Sequence, residues 1–76
     1  MSYNQPFESL VKVRGYICAE NPYKIRFMQT YNDCWIKRKD ITNIERVEKT
    51  SEGYWLSFLT VREEVANELE LDGELA

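Results

Sequence analysis

Alternation of apolar and polar residues runs through the first two thirds of this chain, and it limits the available folds more than any other feature. In VKVRGYIC, Val11, Val13 and Ile17 fall on one side of an extended strand and the polar residues fall on the other. The segment YKIRFMQT repeats the pattern. A period of two is typical of strands with one buried face, so the two segments predict an antiparallel hairpin with its turn at Glu20-Asn21-Pro22.

Three further segments extend the predicted sheet. A turn at residues 31–33 is followed by CWIKR, a third strand. Residues 40–43 predict one turn of 3₁₀ helix that leads into a fourth strand, and YWLSFLT after the loop at residues 50–53 predicts a fifth. Five short strands predict a small antiparallel barrel, either SH3-like or OB-like.

The period changes at the end of the fifth strand. Thr60 followed by Glu63 fits a capping box, and Val61, Val65 and Leu69 recur at intervals of four, as in an amphipathic helix. The predicted fold class is therefore mainly β (α+β), a five-stranded barrel with a short C-terminal helix. We expect an N-terminal extension at residues 1–9, the barrel and helix at residues 10–71, and a frayed tail at residues 72–76.

The composition argues against catalysis. The chain has no histidine, so it lacks the commonest general base and the commonest metal ligand. Cys18 and Cys34 are too few and too far apart for a structural zinc site, and we expect both to be reduced thiols. We therefore expect no enzyme activity, no catalytic residue, no metal and no cofactor.

The chain shows no signal for export or membrane insertion. No apolar run approaches the roughly 20 residues that span a bilayer. The N-terminal segment MSYNQPFESL lacks a basic stretch followed by an apolar one. We expect a cytoplasmic protein with no membrane partner.

Charge is divided unevenly along the chain. Residues 1–49 carry a net charge of +3, and residues 50–76 carry −6. On the predicted first hairpin, one polar face collects the residues Lys12, Arg14, Tyr16, Lys24 and Arg26. A basic face with aromatic rings can bind a single-stranded nucleic acid, and the rings could come from Tyr16, Tyr23, Tyr31 and Trp35. The lysines and arginines can equally cover a solvated surface while the aromatic residues fill the core, and the net charge of −3 weighs against nucleic acid.

The acidic helix offers a different contact surface. We assign Glu63, Glu64, Glu68 and Trp55 as candidate contacts for a basic surface of another protein. Exposed carboxylates on a helix also serve solubility, and the helix can itself cover the Trp55 strand. An acidic helix facing the basic hairpin of a second copy would give a homo-oligomer.

Part of the chain resembles small, uncharacterised phage and prophage proteins. In those proteins a W-I-P-K-S-x-I segment ends a strand and a W-L-A-like helix closes the chain. Here the segment reads Trp35-Ile36-Lys37-Arg38-Lys39-Asp40-Ile41, with lysine in place of the proline and of the serine. The resemblance implies an SH3-like barrel of phage origin that binds or inhibits a host protein.

The sequence thus predicts a non-enzymatic protein-binding module. The alternative is a small barrel that binds single-stranded nucleic acid through its basic hairpin face.

Overall fold

The structure of the protein is a computed structural model that describes residues 9–76. The elements in chain order are strands β1 (Leu10–Glu20), β2 (Lys24–Gln29) and β3 (Asn32–Lys37), a 3₁₀ turn (Arg38–Asp40), strands β4 (Ile41–Lys49) and β5 (Trp55–Arg62), helix α1 (Glu63–Glu68) and strand β6 (Gly73–Leu75). The predicted mainly β fold with one short helix is confirmed. The 3₁₀ turn begins two residues earlier than predicted.

All strand pairs of the sheet are antiparallel, in the order β3-β2-β1-β5-β4. β1 is central: β5 pairs along one edge, and β2 and β6 share the other edge. Because β3 and β4 stand at opposite ends of this order and do not pair, the described strands do not close into a barrel. The predicted closed five-stranded barrel is wrong in this respect, and the sheet has six strands.

One face of the sheet, which we call the core face, carries the buried residues of β1. Val13, Ile17, Phe27 and Leu59 are almost completely buried on it. Full burial of one such side chain stabilises the fold by about 1.5–3 kcal/mol. The whole core cluster consists of Val11, Val13, Ile17, Ile25, Phe27, Ile36, Leu59, Val61, Val65, Ala66 and Leu71.

Gly15 lets the central strand approach its neighbour closely. A Cβ at this position would lie 2.5 Å from the carbonyl oxygen of Met28 and 2.7 Å from the ring of Phe27. The Phe27 ring therefore packs directly over the glycine, and any side chain there would displace it.

The helix is shorter than predicted and starts later. Arg62 precedes it in an extended conformation, and no side chain caps its first turn, so the predicted capping box of Thr60 and Glu63 is wrong. The reason is tertiary: residues 60–62 pair with β1 on one side, and Val61 also pairs with β4 on the other. Val65 packs into the core cluster, so α1 covers the core face and not the opposite face of β5.

Residues 72–76, predicted to fray, contain β6. Gly73 permits a close approach, since a Cβ there would lie 2.6 Å from the carbonyl oxygen of Lys12. The amide of Gln29 donates to the carbonyl oxygens of Arg14 (2.9 Å) and Asp72 (2.8 Å) and accepts from the Asp72 N–H at 2.9 Å. This one side chain of β2 links β1 to the residue that precedes β6. Of the predicted N-terminal extension, residues 1–8 lie outside the described residues.

An ionic cluster links β1 to the 3₁₀ turn and to β4, a strand with which β1 does not pair. The Glu20 carboxylate at the end of β1 accepts from the guanidinium of Arg38 at 2.7 Å and from that of Arg46 in β4 at 2.8 and 3.1 Å. Hydrogen bonds from Arg46 and then Arg38 lower the pKa of Glu20. Side chains therefore link β1 to β4 where the strand ladder does not.

Candidate functional site

The face opposite the core face, which we call the outer face, gathers the predicted basic residues. Lys12, Arg14 and Tyr16 alternate along β1 with the buried residues, and Lys24 and Arg26 do so along β2. Because Tyr16 pairs with Met28 in register, the polar sides of the two strands are the same side of the sheet. All five residues predicted for nucleic-acid contact therefore lie on the outer face, but Lys12 and Lys24 are near opposite ends of β1, about 26 Å apart along the strand.

Strand β3 adds two residues to this face: Lys37, which is not among the residues predicted from the sequence, and Trp35, one of the aromatic residues considered from the sequence. Lys37 is the cross-strand partner of Lys24, and Trp35 is the partner of Arg26. The Trp35 side chain is 46% exposed. The register follows from the two-residue loop at residues 30–31, one residue before the predicted turn.

Partly exposed apolar side chains lie among these cations. Leu56 and Phe58 of β5 pair with Tyr16 and Arg14 respectively, and none of the three apolar or aromatic side chains is fully buried. The Lys12 ammonium lies 5.0 Å from the centroid of the Phe58 ring, within cation–π range. The outer face thus combines basic groups with flat apolar surface.

Two of the outer-face cations have acidic partners. The ammonium of Lys12 lies 3.6 Å from the carboxylate of Glu45. The guanidinium of Arg26 donates to both carboxylate oxygens of Asp33, at 3.0 and 2.6 Å. This pair raises the pKa of Arg26 and lowers that of Asp33.

The remaining cations of this face lack such partners. Within residues 9–76, no carboxylate lies within 4.0 Å of the charged groups of Arg14, Lys24 or Lys37. Lys24 and Lys37 are moreover directly opposite each other, an arrangement that costs free energy unless an anion compensates it. Charge on this face is left available for an external anion.

Two cavities open near this face and differ in charge. One, of about 530 Å³, lies between Lys12, Arg14 and Phe58 on the sheet and the tail that carries Asp72 and Glu74. The other, of about 420 Å³, lies between the β1–β2 turn and the 3₁₀ turn and has no acidic residue in its lining. The second cavity suits an anion, whereas the first already holds carboxylates.

The four residues predicted for protein contact do not form one surface. Glu63, Glu64 and Glu68 are exposed on α1 at the end of β5. Trp55 begins β5, about 25 Å away along an eight-residue strand, and packs against the core cluster. The guanidinium of Arg46 lies 5.9 Å from the Trp55 ring centroid.

Cys18 and Cys34 are both partly buried. Both cysteines are free, and burial raises the pKa of each thiol. No group of three or more Cys, Asp or Glu side chains in this part of the chain is arranged to hold a metal ion. Nor does any helix in this range have the length and apolarity to cross a bilayer.

In comparisons with known proteins, no family model, no curated protein and no solved structure matches the chain.

Proposed function

We propose that the protein is a non-catalytic binding module whose outer face binds single-stranded nucleic acid. The observation that carries the proposal is the position of Arg14, Lys24 and Lys37 on one face with the exposed ring of Trp35, where no carboxylate of residues 9–76 lies within 4.0 Å of those three charges. Proteins that bind single strands combine a basic groove for the backbone with aromatic rings on which bases stack.

The net charge of −3 weighs less at the β2–β3 end of the outer face, which is distant from the acidic helix, than near Arg14, which lines the same cavity as Asp72 and Glu74. The C-terminal end of α1 contacts the sheet at Asn32, whose amide donates to the carbonyl oxygen of Leu69 at 2.6 Å. Lys37 lies five residues farther along β3, about 16 Å away along the strand. This path is longer than the Debye length of about 8 Å at physiological salt, so the two charge groups act largely independently.

Fluorescence anisotropy with a labelled dT oligonucleotide at several salt concentrations tests the proposal. With about four phosphates contacted, the logarithm of the association constant should fall with the logarithm of salt concentration with a slope of about −3. Trp35→Ala should weaken binding at least about fivefold through lost stacking.

The matched charge control is Lys49, an exposed lysine of β4 near Trp55 and away from the outer face. Arg14→Gln should weaken binding and reduce the slope by about 0.7, whereas Lys49→Gln should change neither. Equal effects of the two substitutions, or binding that is insensitive to salt, would contradict a dedicated outer-face site.

A protein partner is the second candidate function, and the exposed acidic helix favours it. Of its three glutamates only Glu64 has an ion pair in residues 9–76, with Arg62 at 3.7 Å. Reversal of Glu64 and Glu68 to lysine should abolish capture of a basic host protein, or dissociate a homo-oligomer in a mass measurement. Unchanged capture and unchanged mass would exclude the helix as the contact.

The proposal extends to the fold family, the origin and the location of the module. We propose an SH3-like or OB-like relative of the small phage proteins, located in the cytoplasm and active on a host or phage component there. The segment from Trp35 to Ile41 supports this kinship.

A further inference from the structure

The second cavity described above is lined mostly by cationic side chains. Its residues, which we call the lysine pocket, are Pro22, Tyr23, Lys24, Lys37, Arg38 and Lys39. They come from the turn between β1 and β2, from the paired ends of β2 and β3, and from the 3₁₀ turn. The depression that they line is open to solvent and has a volume of about 420 Å³.

Hydrogen bonds hold the backbone of this pocket in place. The side-chain oxygen of Asn21 accepts from the backbone N–H groups of Tyr23 and Lys24, both at 2.8 Å. The Arg38 N–H donates to the carbonyl oxygen of Tyr23 at 2.8 Å, and its side-chain Nε donates to that of Asn21 at 2.8 Å. These hydrogen bonds therefore fix the β1–β2 turn and the 3₁₀ turn relative to each other in the unliganded protein.

The guanidinium of Arg38 is already engaged, while the three lysines are not. Arg38 also donates to Glu20 at 2.7 Å, a carboxylate that it shares with Arg46. In the described part of the chain, no carboxylate lies within 4.0 Å of the ammonium of Lys24, Lys37 or Lys39. Three like charges around one concave site repel one another until an anion enters.

An aromatic ring stands at the same site. The Tyr23 side chain lines the pocket and is 78% exposed, which leaves its ring accessible. An exposed ring next to a cationic pocket is the combination that single-strand-binding proteins use for a base and its phosphate. Lys24 and Lys37 also belong to the outer face, so a strand bound there can continue into the pocket.

We propose that the lysine pocket binds an internal phosphodiester of the single strand, with the Tyr23 ring stacked on the adjacent base. This inference rests on the proposed function and names the part of the site that anchors the backbone. The lysines supply the charge, and Arg38 positions the pocket through its contacts with Glu20 and Asn21.

Anisotropy titration of the whole chain with a dT oligonucleotide of about 12 nucleotides tests the inference. Lys24→Gln with Lys37→Gln should weaken binding at least about tenfold and make the salt slope about 1.4 less steep. Tyr23→Ala should weaken binding at least about fivefold, and Tyr23→Phe should restore it because the ring is retained. Lys49→Gln is the control, and circular dichroism checks that each variant is folded.

Two further experiments distinguish an internal phosphodiester from a terminal phosphate and from a free phosphate ligand. Oligonucleotides with and without a 5′-phosphate should bind equally, because the anchored group is internal. A clear preference for the 5′-phosphate would overturn the internal phosphodiester. Chemical-shift changes at Lys24 and Lys37 on addition of pyrophosphate, without any oligonucleotide binding, would replace the strand with a free phosphate ligand.

Failure of the inference differs from failure of the proposed function. If the lysine double variant binds like the wild type while Arg14→Gln and Trp35→Ala do not, the pocket is refuted and the outer-face site stands. If the wild type binds no oligonucleotide, both are refuted. Binding of poly-glutamate but not of oligonucleotides would assign the pocket to an acidic protein segment and likewise overturn the proposal.

Discussion

Substitution of Glu20 by glutamine tests whether side chains hold this open sheet together. The carboxylate joins β1 to the 3₁₀ turn and to β4 through contacts with Arg38 at 2.7 Å and Arg46 at 2.8 Å. Glutamine keeps the shape of the side chain and one acceptor oxygen, but it removes the negative charge. The change therefore isolates the ionic part of the link.

The expected loss of stability is about 1 kcal/mol. Two exposed ion pairs contribute about 0.2–1 kcal/mol each, and the Glu20 side chain is 36% exposed, so water screens part of the attraction. A chain of this size has a total stability of about 4–11 kcal/mol. A loss of 1 kcal/mol lowers Tm by about 4–8 °C in a domain this small.

The loss should depend on pH in a defined direction. Hydrogen bonds from Arg46 and Arg38 lower the pKa of Glu20 in the folded state, so the unfolded chain binds this proton more tightly. Stability from Glu20 is then fully present above the unfolded pKa, near the ordinary value of about 4.3, and is lost as the pH falls through the folded pKa. The wild type and Glu20→Gln should differ at neutral pH and converge in acid.

Urea unfolding followed by tryptophan fluorescence, at neutral and acidic pH, measures this difference. Glu48→Gln is the matched control, because Glu48 is an exposed glutamate of β4 with no ion pair in residues 9–76. It should change the free energy of unfolding by less than about 0.5 kcal/mol. A Glu20→Gln loss that equals the Glu48→Gln loss, or that stays the same in acid, would refute the role of Glu20 as a link across the sheet.

Three other substitutions or reactions test the packing directly. Gly15→Ala places a methyl group 2.5 Å from the Met28 carbonyl oxygen and should lower the free energy of unfolding by about 3 kcal/mol in urea titration; a loss below 1 kcal/mol would contradict the close approach. Gly73→Ala places a methyl group 2.6 Å from the Lys12 carbonyl oxygen and should detach β6 from β1, so that amide hydrogen exchange becomes faster in the C-terminal residues alone. Exchange protection equal to that of the wild type would refute the close approach of Gly73. Because burial raises the pKa of Cys34, its thiol should alkylate more slowly in the folded chain than in guanidinium chloride, as mass spectrometry of timed samples can show; equal rates would contradict that burial.

The binding surface depends on a pairing that spans two strands. Lys24 and Arg26 were recognisable in sequence as basic residues of one strand face, but Lys37 and Trp35 join them only through the register of β2 with β3. Placing the predicted turn one residue too late reverses which side of β3 faces outward, because side chains alternate with a period of two. The shorter loop at residues 30–31 carries no glycine or proline that would have marked it.

What the sequence determines by itself is local. The alternation in VKVRGYIC and YKIRFMQT specifies strands and the face that each buries, because backbone sterics and side-chain direction act within a few residues. It also separates a basic N-terminal part from an acidic C-terminal part.

Tertiary structure decides the rest. Residues 60–62 fit a helix start in isolation but remain strand because β1 offers them hydrogen bonds, as β4 does to Val61. Residues 73–75 form a strand because β2 leaves that edge of β1 unpaired and Gly73 can approach it. Whether the sheet closes, and which charges meet on its outer face, depends on contacts between distant segments, whose free energy no local pattern contains.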